Sequence, residues 1–340
     1  MSAKWKTLLL GAVLAAMLVI LPFTIASPVF SYETEVEEDD PFADLFGLLF
    51  PAAHAEEEEA VHYELSTDLF TPGNTPNPAG YTYDEEGNIT GYHDASITVT
   101  VETRFENGVS WRVAYVEIKS PTQLRTAVAG KKITSTKEAY MSALAPAYNA
   151  IVAINGDDYQ NDPQVKTFEY RMGQKASAKS NKKRDILIID EKGDLHIFIC
   201  SDADKMSAFK ADGHQVVNAF TFGPGLVVDG DLIPCPKDYK YNPNKAEPRS
   251  AIGQVGPLSY VLVVAEGRGE SGSAGVTIDQ LGDFMFYQLN CVQAYNLDGG
   301  NTAEMYVGNT MYMDRKGHSE RSINDIIYFA TAVDPAEWQE

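Results

Sequence analysis

A series of short apolar runs bounded by turn residues leaves this chain few folds to choose from. They lie at residues 151–154, 186–189, 195–200, 226–228 and 260–265. Each has strand length and none has helix length, so each reads as a strand buried on both faces. Upstream, residues 97–101 alternate apolar and polar, and 111–118 form a second β-rich run, with Asn107-Gly108 between them. That pattern predicts strand, turn, strand. Only two segments carry helical spacing. In 136–149, Met141, Leu144 and Tyr148 share one face, with Pro146 disfavouring the last turn. In 277–289, Ile278, Leu281, Met285 and Leu289 share a face behind a capping box of Thr277 and Gln280. Residues 293–297 are the next strand. Many strands, few helices and no internal repeat predict the α+β class: a mixed, twisted β-sheet with a few flanking helices in one large domain.

The N-terminal third has a different character. Lys4 and Lys6 precede an uncharged apolar stretch at 8–26. It approaches the roughly 20 residues that span a bilayer and exceeds the roughly 7–15 of a signal core. Residues 1–30 are therefore expected to be a signal peptide or a retained membrane anchor, which makes the body extracytoplasmic, whether anchored or secreted. Residues 31–95 read as an acidic stem and linker. The part from 31 to 68 carries 13 acidic and no basic residues, and 71–95 holds Pro, Gly and Asn clusters. The body then divides into a β-rich part at 96–147 and a second part at 148–335. The net charge of −21 excludes the electrostatic footprint of a nucleic-acid binder. Three cysteines cannot build a disulfide framework. Cys200 and Cys291 flank apolar elements and read as core thiols, whereas Cys235, between two prolines, reads as the accessible one.

Chemistry-bearing residues gather at strand ends. Asn155-Gly156-Asp157-Asp158-Tyr159 follows the run at 151–154, and the Asn-Gly step would aim two carboxylates and an amide out of the sheet edge; an ordinary polar turn has the same composition. Arg249 precedes an apolar strand; its planar fork suits phosphate or carboxylate, and a surface salt bridge is the plain alternative. Gly267-Arg268-Gly269-Glu270-Ser271-Gly272 fits a dinucleotide fingerprint in letters only. The helix cap, Thr277, comes too late, and Asp298 is too distant to be the ribose-binding acid. Asn296-Leu297-Asp298-Gly299-Gly300-Asn301-Thr302 places a carboxylate at a strand end, with two glycines that open the backbone to a ligand. No H-E-x-x-H, C-x-x-C or G-x-S-x-G occurs, and the six histidines are scattered.

In their order, these segments resemble the phosphodiester glycosidase family over about residues 148–332. The resemblance rests on Asn155-Gly156-Asp157, on the stretch from Phe222-Gly223-Pro224-Gly225 to Gly230, on Arg249-Ser250-Ala251-Ile252-Gly253, on Gly267-Arg268 and on Asn296 to Gly300. It implies hydrolysis of a sugar-1-phosphodiester, such as an N-acetylglucosamine-1-phosphodiester, at the anomeric C–O bond of an envelope or extracellular glycan. Such a reaction passes through an oxocarbenium-like state that a carboxylate stabilises, and its leaving phosphate needs a cation and N–H donors. The resemblance implies Asp298 and Asp157 as the carboxylate pair, with Asn155 orienting one of them or binding a sugar hydroxyl. It implies Arg249, Arg268, Gly223, Gly299, Gly300, Asn301 and Thr302 on the substrate side. No cofactor is implied; a divalent cation such as Ca²⁺ is compatible with converging carboxylates and carbonyls. The chain departs from the family at Asp157, Asn301 and Ala303, where a second serine is lost. That departure keeps a second function open, a non-catalytic module that binds a cell-wall polymer.

Overall fold

The structure is a computed structural model that describes residues 62–157, 167–179, 183–313 and 319–338. They belong to one compact unit, His62–Glu340. The apolar stretch at 8–26, the stem up to residue 61, and Asp158 and Tyr159 lie outside the described residues. No helix among the described residues is long and apolar enough to cross a membrane.

The α+β class is what the chain adopts. Among the described residues, nineteen strands make three sheets, one of nine strands and two of five. Pairing between neighbouring strands is antiparallel throughout the described residues, because hairpins and long returns connect them rather than crossover helices. The large sheet runs from Tyr81–Tyr83 through Ile97–Glu106 and Val109–Ile118 to Ser259–Ala265, Arg249–Gly256 and Gln293–Asn296. A second sheet holds Ile186–Ile189 and Leu195–Phe198 beside Asn218–Phe220 and Phe168–Arg171. The third holds Val152–Asn155 between Met305–Val307 and Asp325–Phe329.

The period-2 geometry of a strand explains why the runs read as continuous apolar segments. In Ser259–Ala265, Tyr260, Leu262 and Val264 enter a core shared by all three sheets. Val261, Val263 and Ala265 enter a second core on the opposite face, under helix Ile278–Asp283. In Ile186–Ile189, Leu187 and Ile189 face the shared core, while Ile186 and Ile188 pack against Met206 and Phe209 of helix Ala203–Ala211. In Asp325–Phe329, Ile327 and Phe329 face the shared core, while Ile326 and Tyr328 join Met141, Leu144 and Ala145 of helix Met141–Ala147. Each sheet thus buries one face against the others and roofs its second face with a helix.

Three expectations change. The ordered body starts before residue 96. Leu65 and Leu69 are buried, and strands Tyr81–Tyr83 and Ile89–His93 extend the large sheet. The Pro, Gly and Asn clusters are turns of that extension: Asp84 Oδ1 accepts the Asn88 N–H at 2.7 Å, and Gly87 takes φ +83°. The second helix keeps its capping box at Thr277 and Gln280, but its last turn, Phe284–Gln288, is a π-helix that lets Phe284 stack on Trp111 with ring centroids 3.7 Å apart. Among the cysteines, Cys291 is buried as expected, but Cys200 is exposed and Cys235 is only partly so. Cys200 takes φ +52° in the turn after Leu195–Phe198, which removes it from the alternation of the strand.

Candidate active site

Four strand ends are laced together by main-chain bonds. The Asp298 N–H donates to Gly156 O, the Gly156 N–H to Asp325 O, the Leu297 N–H to Ser250 O and the Gly300 N–H to Pro248 O, at 2.8–3.2 Å. Gly156 has no substitute here. A Cβ on it would lie 2.3 Å from an Asp325 carboxylate oxygen.

Asn155 is the clasp of this crossing. Its amide Nδ2 donates to Asp298 O at 2.8 Å and to Gly156 O at 3.1 Å. Its Oδ1 accepts from the Ser250 hydroxyl at 2.7 Å and from the Glu304 N–H at 3.2 Å. The side chain is buried, and its hydrogen-bonding groups hold the Asp298 main chain in place.

The Asp298 carboxylate is part-exposed. Its Oδ1 accepts the Gly299 N–H at 2.8 Å and its Oδ2 the Thr302 hydroxyl at 2.7 Å. It lines a small cleft with Asn155, Asp157, Thr302, Arg321 and Asn324. Arg321 was not anticipated. It is exposed, its main-chain N–H donates to Glu304, and its guanidinium makes no hydrogen bond or ion pair among the described residues. The signal that drew attention to Arg249, an arginine just ahead of an apolar strand, applies equally to Arg321 ahead of Asp325–Phe329.

Asp157 belongs to the interior. Its side chain has no exposure; Oδ1 accepts from Arg171 at 2.6 Å and Oδ2 from the Thr221 N–H at 3.0 Å. Glu169 and Asp325 flank the same guanidinium at 3.1 and 2.5 Å. One buried cation therefore faces three buried carboxylates, and a single positive charge cannot balance three negative ones. Desolvation raises the Asp157 carboxyl above its usual range, against the pull of Arg171. Glu169 is raised further, by desolvation and then by the charge of Asp157. The Thr221 hydroxyl lies 3.0 Å from Phe168 O and 2.6 Å from Glu169 Oε1, which ties this network to the neighbouring strand. Asp298 and Asp157 line the same cleft, Asp298 with a part-exposed carboxylate and Asp157 with its carboxylate buried against Arg171.

Arg249 also faces inward. It is buried, and its guanidinium donates to the carbonyls of Tyr241, Asn242, Lys245 and Val276 at 2.7–3.3 Å. It gathers the 241–248 loop instead of presenting a fork to phosphate. Arg249→Lys should consequently lower thermal stability by several degrees and leave substrate KM little changed, since one ammonium cannot span four carbonyls. A rise in KM at unchanged stability would restore the phosphate-binding role. Arg268 is the guanidinium at the glycine turn. It is exposed, pairs with Glu247 at 2.7 Å, donates to Asn301 Oδ1 and lies against Gly300, which takes φ +67°. Gly223 sits in a separate cleft with Arg184, Asp185 and Tyr239. Its carbonyl accepts from Asn296 Nδ2 at 2.6 Å, which ties that cleft to the strand leading to Asp298.

The sequence matches the phosphodiester glycosidase family over residues 148–330, more than half of the chain. An uncharacterised SPbeta prophage-derived protein of Bacillus subtilis (strain 168), YomE, is 22% identical over 197 residues, 57% of this chain and 30% of that protein. The chain therefore spans about a third of the length of that relative. The catalytic domain of zebrafish N-acetylglucosamine-1-phosphodiester alpha-N-acetylglucosaminidase, auto-inhibited by its pro-peptide, superimposes with a TM-score of 0.52 at 16% identity, covering 78% of this chain and 97% of that domain. The likeness to that domain is one of fold; the motif order and the family match go further, and on them the chain belongs to the phosphodiester glycosidase family.

Proposed function

We propose that the chain hydrolyses a sugar-1-phosphodiester at the anomeric C–O bond, releasing the free sugar and a phosphate monoester. The observation that carries this reading is Asp298, a carboxylate braced by the Gly299 N–H and the Thr302 hydroxyl in a cleft that Arg321 also lines. The developing positive charge at the anomeric carbon is placed against Asp298. The departing phosphate is placed against Arg321, whose fork matches two phosphate oxygens. Water adds its hydroxyl to the anomeric carbon and its proton to the phosphate. Because the leaving group is a weak base, the cation matters more than a strong general acid. Asn155 keeps Asp298 in register from behind.

The zebrafish domain names N-acetylglucosamine-1-phosphodiesters as the first substrates to offer. Release of free sugar and phosphate monoester by the purified protein tests the proposal. Inactivity on every sugar phosphodiester offered, with binding retained, would favour the wall-polymer module. An extracytoplasmic glycan as target rests on the apolar stretch at 8–26 behind Lys4 and Lys6. Membrane fractionation with N-terminal sequencing should find the full-length chain in the membrane. Soluble protein beginning near residue 27 would show export without an anchor.

A further inference from the structure

At the far end of strand Ile186–Ile189 from Asp185, three side chains meet that play no part in the cleft chemistry. The Asp190 carboxylate is buried. Its Oδ2 lies 3.0 Å from His196 Nε2 and 2.9 Å from His214 Nδ1. The three donor atoms all fall within 4.8 Å of one another. We infer that Asp190, His196 and His214 form a binding site for a divalent transition-metal ion of the zinc class.

The chemistry favours that class of ion. Two imidazoles and one carboxylate are the donor set of zinc and its neighbours, whereas Mg²⁺ and Ca²⁺ ask for oxygen alone. Zn–N and Zn–O bonds of about 2.0–2.2 Å set tetrahedral donors about 3.4 Å apart. The two Asp190–histidine distances, 3.0 and 2.9 Å, would open by about half an ångström to take an ion between them.

The ligands are also held from behind, as metal ligands are. Asp190 Oδ1 accepts the N–H groups of Lys192 and Asp194, each at 2.9 Å, which leaves Oδ2 to face the rings. Both rings rest on Phe209: His214 stacks on it at 5.0 Å and 17°, and His196 meets it edge-on at 5.0 Å. The histidine side chains keep 30% and 23% of their exposure, so a fourth position opens to water. Glu191 Oε1, 3.7 Å from His214 Nδ1, is close enough to compete for that position. The bound ion would pin the 190–194 turn to the segment after helix Ala203–Ala211, elements that neighbour each other in space but come from separate parts of the chain. Its role is structural, and it is independent of the hydrolytic reading.

The test is a titration of the full chain, first dialysed against a chelator, with ZnCl₂ in excess MgCl₂. One equivalent should bind with a dissociation constant in the micromolar range or tighter and raise the melting temperature by several degrees. Binding should release protons, and Co²⁺ in place of zinc should show the visible absorption of a four-coordinate nitrogen-ligated centre. The double variant His196→Ala/His214→Ala should weaken binding about 100-fold or more; if it does not fold, the single variant His214→Gln, at a part-exposed ring, should weaken it about 10-fold or more. Absence of a saturable equivalent, displacement by Mg²⁺, or a cobalt spectrum typical of oxygen ligands would overturn the inference. So would unchanged affinity in the histidine variants, which would move the metal to the acidic N-terminal residues.

Discussion

Asp298→Asn should reduce sugar release by a factor on the order of 10²–10³ or more, the scale seen when a preorganised electrostatic partner of a transition state is removed. The change keeps the shape of the side chain, and an amide oxygen can still accept the Gly299 N–H. The melting temperature should therefore move by no more than a few degrees. Because the lost interaction strengthens only as positive charge develops on the sugar, kcat and kcat/KM should fall together. Arg321→Ala should behave differently. On the proposed reading its guanidinium would bind the phosphate and stabilise the charge that grows on it as it leaves, so KM should rise and kcat should fall, and both effects should vanish on a glycoside that lacks the phosphate. Steady-state kinetics of wild type and both variants on one phosphodiester and one simple glycoside separate the two roles. An Asp298→Asn enzyme that keeps most of its activity would remove Asp298 from the reaction.

Arg171→Met should be among the most damaging single changes in the body. The guanidinium touches Asp157, Glu169 and Asp325, donates to the Ala219 carbonyl and lies 4.0 Å over the Phe220 ring. Removing one partner of a buried ion network costs about 3–5 kcal/mol, which corresponds to roughly ten degrees or more of melting temperature. Glu169→Gln should have the opposite character. The folded-state pKa of Glu169 lies above its ordinary 4.5, so between the two values the folded chain holds a proton that the unfolded chain lacks. Stability contributed by that proton is present below the ordinary value and is lost as pH rises towards the folded one. A glutamine keeps the shape of the side chain and an acceptor for Thr221 or Arg171 without taking up a proton. Denaturant unfolding at pH 5 to 8 should show the wild type losing more stability across that range than the variant. Parallel profiles would place the proton elsewhere.

The sequence revealed its strands more readily than its side-chain directions. The runs at 186–189 and 260–265 are legible because alternate residues enter two separate apolar cores, and a strand buried on both faces has no polar gaps. The strands at 81–83 and 89–93 were hidden because a short edge hairpin is mostly turn chemistry. At the site, the order of the strand ends identified Asn155, Asp298, Gly300 and Thr302 as neighbours in the crossing. It could not say which charged residues turn inward. Asp157 and Arg249 are buried because each completes a polar network whose other members, Arg171 and the 241–248 carbonyls, lie elsewhere along the chain. Arg321 escaped notice for the converse reason, since an exposed arginine in a polar loop looks like solvated surface until the cleft around it is seen. Asp190, His196 and His214 follow no spacing rule; a hairpin and a helix bring them together.

The large sheet pairs Val109–Ile118 with Ser259–Ala265, and about 140 residues separate these neighbours in the chain. On a ribosome adding roughly 5–20 residues per second, the first strand waits on the order of ten seconds for the second to be made. During that interval the hairpin of Ile97–Glu106 and Val109–Ile118 has one apolar edge with no partner, a template for pairing with the wrong chain. The order of the strands in the sheet thus sets how long this edge waits before its neighbour is made, and a holding chaperone or passage through a translocon in extended form would shield it for that time.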